Sequence, residues 1–259
     1  MKVEIRKITK VEDYKEIPWI QKSAWGFSEL DLEPHQLMTR VQKYGGLVMG
    51  LFVDGKLVGF SYAILAKWEG KIFLYSHMAA VRKEYQRKGF GYLIKKAQRD
   101  EALKMGYSFI KWTFDPLESL NSYFNLHRLG AVGFEYELNI YGVGESGLHK
   151  GLPTDRMVAH WELNSERVKE RMKEKIPPVF LGKAPPAHDF SSDIIYIEIP
   201  ADIRRLKKYD MKKALEWRFK TREEFLKAFE NGYVATDIVF TKNRERVFYL
   251  LEKDYDYKK

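Results

Sequence analysis

Gln86-Arg87-Lys88-Gly89-Phe90-Gly91 stands between an apolar run, Ile72 to Val81, and a stretch of helical periodicity that extends to Met105. The order is strand, glycine-bearing turn, helix. That order presents the unpaired N–H groups of a helix N-terminus, and the positive end of its dipole, to a phosphate or pyrophosphate. Glycine belongs where the chain must turn tightly or approach a ligand without a Cβ. A dinucleotide-type G-x-G-x-x-G is a poorer fit, since position 94 is Ile and no carboxylate follows on an adjacent parallel strand at the usual distance. The plain alternative is a glycine turn that only caps a helix.

Working outward, alternation predicts a strand over Val3 to Thr9, and helical spacing predicts helices over Glu12 to Trp25 and Glu33 to Tyr44, the latter stopped by Gly45-Gly46. Leu47 to Val53 and Lys56 to Ala66 flank Asp54-Gly55, a hairpin signal because the pair tolerates positive φ. After the strand Ile72 to Val81 comes the helix Phe90 to Met105. A strand over Ser108 to Phe114, a helix over Leu117 to Leu129 and two strands, Gly133 to Tyr141 and Met157 to Leu163, complete the series. Beyond it, Asn164 to Lys175 is polar and helical, and Ile176 to Asp189 holds four prolines and reads as a linker or extended arm. Ile194 to Ile199 reads as a strand and Ile203 to Arg218 as a helix. Thr221-Arg222-Glu223-Glu224 fits a capping box opening a further helix that Gly232 ends. Tyr233 to Phe240 and Val247 to Glu252 form a hairpin.

The loop and its flanks, Val81 to Gly91, resemble the acyl-CoA pyrophosphate loop of the GNAT superfamily of N-acyltransferases, whose pattern is a strand ending in Val, a short turn, then (Q/R)-x-x-G-x-(G/A) opening a helix. The element order over residues 1–163 resembles that fold: α/β (α+β), with a mixed, centrally splayed sheet flanked by helices. Residues 164–259 are then a smaller α+β extension, either a degenerate half of the same fold or an unrelated segment covering a sheet edge. The segments Trp112 to Leu117, Asn125 to Ala131 and Gly151 to Arg156 resemble one branch of the superfamily with a similar tail, some of whose members act in amino-acid N-acylation, succinyl transfer included.

The resemblance implies an enzyme that moves an acetyl or succinyl group from acyl-CoA to a primary amine. The backbone of Gln86, Arg87, Lys88, Gly89, Phe90, Gly91 and Tyr92 would hold the pyrophosphate, and that of Met78, Ala79, Ala80 and Val81 the pantetheine arm. Lys88, Lys95, Lys96 and Arg99 are candidates for the 3′-phosphate, against a solvated basic face. Asn121 and Asn125, at i and i+4 on a helix, would contact pantetheine or merely cap. An ammonium must lose a proton before it attacks a thioester. His77 is the candidate base, since imidazole as a side-chain type titrates near neutrality and even spacing puts it on the strand face of Val81. A core histidine is the alternative. Glu33 and His35 lie where the family contacts the acceptor. The family's thiolate-protonating tyrosine, four residues before a glycine, is not matched: Leu126 and Leu129 stand there, with Tyr123, Tyr136 and Tyr141 elsewhere. Arg128 and Arg156 are candidates for a substrate carboxylate, or structural ion pairs.

Composition narrows the classes. The chain has 259 residues, 45% hydrophobic, and no cysteine. That excludes disulfides, thiolate metal sites and a cysteine nucleophile, and no metal is expected. No apolar run suits a membrane span, and no leader-like hydrophobic stretch opens the chain. A cytoplasmic protein with a thermophile-like charged surface is the expectation. The +9 charge suits a polyanionic cofactor better than nucleic acid, for which no motif is visible. A small-molecule amine is the expected partner, and the β-rich tail suits a homodimer. The rival readings are a non-catalytic acyl-CoA sensor and an acetyltransferase acting on protein or tRNA.

Overall fold

The computed structural model describes residues 1–142, 151–173, 176–186 and 189–259. The predicted Asn164–Lys175 helix and 176–189 linker each run partly outside these. The chain forms two compact units, Met1–Trp112 and Thr113–Lys259.

In the first unit β1 (Val3–Lys7), β2 (Leu47–Val53), β3 (Lys56–Trp68) and β4 (Lys71–Val81) form an antiparallel sheet in that order. β5 (Phe109–Phe114), which spans the division, adds to β4 in parallel at Leu74↔Ile110 and Tyr75↔Lys111. The mixed α/β sheet read from the sequence is therefore present. Asp54 and Gly55 turn the β2–β3 hairpin with φ of 48° and 83°, both positive as a tight turn between right-twisted strands requires.

Three helices cover this sheet: α1 (Val11–Trp25), α2 (His35–Lys43) and α3 (Phe90–Lys104). One core sets Tyr14, Ile17 and Ile20 of α1 and Met38 of α2 against Phe60, Tyr62 and Ala80. A second sets Phe90 and Ile94 of α3 against Leu51, Val58 and Val81. The two cores fill opposite faces, so neighbours Ala80 and Val81 point to opposite helices, as alternation demands.

In the second unit β7 (Arg156–Glu162), β6 (Val132–Glu137), β10 (Tyr233–Thr241), β11 (Val247–Lys253) and β9 (Ile194–Ile199) follow one another across an antiparallel sheet. β8 (Val179–Leu181) lies parallel to the far part of β10. β8 falls in the segment read as a linker, where its three residues are too few to show a period among prolines. β6 and β10 are joined antiparallel at Ala235↔Gly133. Compactness thus divides at 112/113, because strands expected to close the first domain pair with strands of the tail. The boundary at 163/164 is one of family pattern, which packing does not test.

Two helical expectations are corrected. Leu117–Leu129 is not one α-helix: a single turn, α4 (Ser119–Ser122), passes into a π-helical turn over Tyr123–Arg128. The carbonyls at its end are taken by α5 (Glu166–Lys173). Arg167 donates from Nη2 to Leu126 O at 3.1 Å and from Nε to Gly130 O at 3.0 Å. Arg171 Nη1 donates to His127 O at 2.8 Å. Nor does a helix open at Thr221. The break falls at Asp210, whose carboxylate accepts the Lys213 N–H at 2.9 Å and separates α6 (Ile203–Tyr209) from α7 (Met211–Glu230). Thr221 lies mid-helix and returns its hydroxyl to Trp217 O at 2.7 Å, an arrangement that competes with its use as a cap.

α7 is anchored by charge. Arg218, fully buried, holds both oxygens of Asp115 through Nη2 at 2.8 and 2.7 Å. Removing one member of such a pair strands the other. Asp115→Ala is therefore expected to lower the free energy of unfolding by about 3 kcal/mol, measured as a shift in the urea midpoint at constant m-value.

Candidate active site

The geometry around His77 comes from one extra residue. Tyr62 pairs with Met78 and the next residue of β3, Ala63, pairs with Ser76, so His77 is a β-bulge with no partner across the ladder. The bulge breaks the alternation of β4. Ser76 faces α3, where it meets Lys95 and Gln98, while Met78 packs on the α1–α2 side. His77 turns to that side too: its ring stands edge-on to Tyr62, centroids 5.8 Å apart, and its Nε2 is 3.7 Å from Glu33 Oε2. The even-spacing expectation that His77 shares the face of Val81 is corrected by the bulge, for Val81 belongs to the α3 core.

Glu33 is brought there by Gln21. This fully buried amide accepts the Glu33 N–H at 2.9 Å and donates to Glu33 O at 3.2 Å. A loop residue is thereby fixed by two hydrogen bonds from α1. His35 is the first residue of α2 and half-buried. Trp25 and Phe27, 5.1 Å apart, continue the aromatic surroundings, Trp25 reaching Phe60 edge-on at 6.3 Å. The Tyr62 hydroxyl, which sequence reading passed over because tyrosine in a strand is ordinary, is buried without a hydrogen-bonding partner among the described residues. Burial, and then the charge of Glu33, push its pKa up to about 12.

The glycine-bearing loop has the predicted form. Gln86 Nε2 donates to Val81 O at 3.0 Å and ties the turn to the end of β4. Arg87 and Gly89 have φ of 62° and 81°. Gly89 is the N-cap of α3, and the first N–H to close on it is that of Leu93, at 3.2 Å. The amides of Phe90, Gly91 and Tyr92 are those that a helix leaves without intrahelical acceptors. A Cβ on Gly89 would meet nothing within 4 Å, so its requirement is conformational. Arg87, without that freedom, carries backbone strain of order 1 kcal/mol. β4 runs on through Met78, Ala79 and Ala80 to Val81 beyond its last register pair with β5 at Tyr75.

Lys95 is not a phosphate contact. It is buried, its Nζ donates to Ser76 Oγ at 3.1 Å and Gln98 Oε1 at 2.8 Å, and it lies 3.9 Å over the Trp112 ring. Lys96 is exposed, Lys88 lies over Tyr85 at 5.2 Å, and Arg99 pairs with Asp100 at 3.2 Å.

In the second unit the expected common face of Asn121 and Asn125 is absent. Asn121 is exposed and Asn125 buried, because the π-helical turn between them rotates the i+4 position off the face. Leu126 and Leu129, at the family's tyrosine positions, are fully buried. Tyr136 donates to Asp155 at 3.1 Å, with its phenol pushed up by burial, and Tyr123 stacks on His127 at 4.6 Å. In the Gly151–Arg156 segment Asp155 and Arg156 are buried in polar contacts. Asp155 is fully buried and bidentate to Arg222 at 2.8 Å on each oxygen, while Arg156 is buried and donates to Asp155 O at 2.9 Å. Among the described residues no cluster of three or more His, Cys, Asp or Glu could hold a metal ion, and no helix is long and apolar enough to cross a membrane.

Residues 11–130 match the model of the Acetyltransferase (GNAT) family. Similar solved structures agree in fold. A GNAT-family protein from Desulfovibrio desulfuricans aligns at 15% identity with a TM-score of 0.51, over 62% of this chain and 99% of its own. YncA from Salmonella typhimurium, with its cofactor acetyl-CoA, aligns at 16% identity and 0.50, over 64% and 96%. No curated protein matches the chain in sequence.

The buried amine makes a pH-dependent prediction. Desolvation lowers the Lys95 pKa from 10.5 to about 7. Between those values the unfolded chain binds a proton that the folded chain does not, so stability contributed through this group rises with pH across about 7 to 10.5 and is least below 7. Lys95→Met keeps the stem volume, and Ser76 can still donate to Gln98 at 3.2 Å. The variant is expected to melt several degrees higher than the parent at pH 6, with the difference shrinking towards pH 10, in thermal melts across that range.

Proposed function

We propose that this protein is an N-acyltransferase that moves an acetyl group from acetyl-CoA to a primary amine, with the amine of an amino acid as the first candidate acceptor and succinyl-CoA as the alternative donor. The observation that carries the reading is the Gln86–Tyr92 turn, with Gly89 in the left-handed region as N-cap of α3. Backbone amides of Arg87 to Tyr92 at a helix N-terminus fit a pyrophosphate. The backbone of Met78 to Val81 would pair with the pantetheine arm, and amides near Met78 to Ala80 would polarise the thioester carbonyl.

Attack is direct, since the chain has no cysteine to carry an acyl intermediate. Glu33 attracts the ammonium form of the acceptor. His77, or a water it holds, takes one proton. The freed lone pair forms the C–N bond, the C–S bond breaks, and CoA leaves as a thiolate that takes up the proton the amine sheds. Buried Leu126 and Leu129 supply no acid for that step. The acidity of the CoA thiol lets it leave unassisted.

Thiol release, followed with a chromogenic disulfide, tests this without background from the protein. Acetyl-CoA and succinyl-CoA are each offered with a pool of D- and L-amino acids. Amine-dependent release with one donor is expected. Acyl-CoA binding without release on any amine would move the reading to a non-catalytic sensor, and no binding would remove it. Gly89→Val, which forces a β-branched residue into positive φ, is expected to weaken acyl-CoA binding at least tenfold by calorimetry. His77→Ala is expected to lower kcat by 10- to 1,000-fold while leaving that binding unchanged.

A further inference from the structure

Tyr62 carries one of the buried, unpartnered polar atoms of the first unit, with Ser61 Oγ and Gln98 Nε2. It is fully buried on β3 and its ring packs in the α1–α2 core, yet its hydroxyl has no hydrogen-bonding partner among the described residues. Buried polar groups are almost always paired, and an exception calls for a reason. Tyrosine brings to this position only what phenylalanine would bring, plus an oxygen that costs stability where it stands.

The surroundings supply the reason. The Tyr62 ring meets His77 edge-on at 5.8 Å, the bulge that re-aims His77 is opposite the Tyr62–Ala63 step, and the charge of Glu33 adds to burial in raising the Tyr62 pKa. Glu33 is itself clamped by Gln21 and lies 3.7 Å from His77. A carboxylate, an imidazole and an unpaired hydroxyl thus gather on the α1–α2 face of the bulge, beside the aromatic pair Trp25 and Phe27. We infer that the Tyr62 hydroxyl is an acceptor-binding group: it accepts one N–H of a primary ammonium while the Glu33 carboxylate accepts another and His77 stands at the third.

The arrangement also limits what Tyr62 does. Its phenol stays protonated throughout the working range, so it neither takes the ammonium proton nor competes with His77 as base. It holds nitrogen, and it favours an acceptor with at least two N–H bonds. A secondary amine has only one left for this pair once His77 has removed a proton. The recognised class is therefore the primary amine. The inference rests on the proposed transfer reaction and adds to it the residue that reads the acceptor.

Tyr62→Phe removes the oxygen and keeps the ring. Rates are measured with acetyl-CoA and the amino acid that gives the fastest parent release, beside its N-methyl derivative, together with acetyl-CoA affinity by calorimetry and the melting temperature. Tyr62→Phe is expected to raise KM for the amino acid at least tenfold, to leave acetyl-CoA affinity unchanged, to reduce the preference for the primary over the N-methylated amine, and to melt at the parent temperature or above it. A residue that only supports the fold would move the other way, with a lower melting temperature and an unaltered amine KM. That result, with the parent enzyme active, overturns the inference and leaves the transfer reaction standing. A parent that binds acetyl-CoA but acylates no amine overturns both.

Discussion

The β3–β4 ladder and its one extra residue govern the first unit. Two long strands pair over most of their length, and at His77 the pairing gains a residue on one side only. Without that residue, Ser76 and Met78 would point the same way. With it, Ser76 joins the buried polar group of α3, Met78 joins the α1–α2 core, and His77 is turned towards Glu33. The ladder supplies the hydrogen bonds that keep so exposed an irregularity in place. Gln21 does the equivalent on the other side of the site. Both members of the His77–Glu33 pair are thus irregular backbone held by regular elements.

Buried polar and charged groups occur in both units. In the first unit the buried amine of Lys95 and the unpaired hydroxyl of Tyr62 lie on opposite faces of the sheet, each at a cost to stability. In the second unit buried charges are paired: Asp115 with Arg218, Asp155 with Arg222, and Asp237 with both His127 and Arg171. Paired groups fix one packing, and proteins keep unsatisfied ones mainly where function requires them.

How far the sequence could be read depended on period. Leu47–Val53, Ile194–Ile199, the Asp54-Gly55 turn and the start of α3 at Phe90 were legible because each has a local cause: alternation, positive φ or a glycine cap. The glycine-bearing turn ahead of α3 was legible for the same reason. The bulge was not, because nothing in Ser76-His77-Met78 distinguishes an extra residue from an ordinary one, and the cause lies in pairing with β3. The π-helical turn was hidden likewise, since its carbonyls are satisfied by arginines some forty residues away in sequence. Asp210 was passed over in favour of Thr221, although aspartate is the stronger cap, because the apolar period runs through both. Nothing in the sequence singles out Tyr62 or Gln21: the one is marked by a hydroxyl without a partner among the described residues and the other by the loop it holds.

The end of the π-helical turn has a consequence for how the chain is made. The family match ends at residue 130, just past this turn. The groups that satisfy it arrive much later from the ribosome: Arg167 and Arg171 some forty residues on, and the Asp237 that holds His127 Nδ1 at 2.8 Å only near the C-terminus. A nascent chain must therefore carry Leu126, His127 and Gly130 with water on their carbonyls until the tail emerges. Translation order makes α5 the element that closes a helix end begun about forty residues earlier, with Asp237 of β10 reaching the His127 side chain later still. A piece of this protein cut at the family boundary would keep the Gln86–Tyr92 turn and lose the partners of its own terminus.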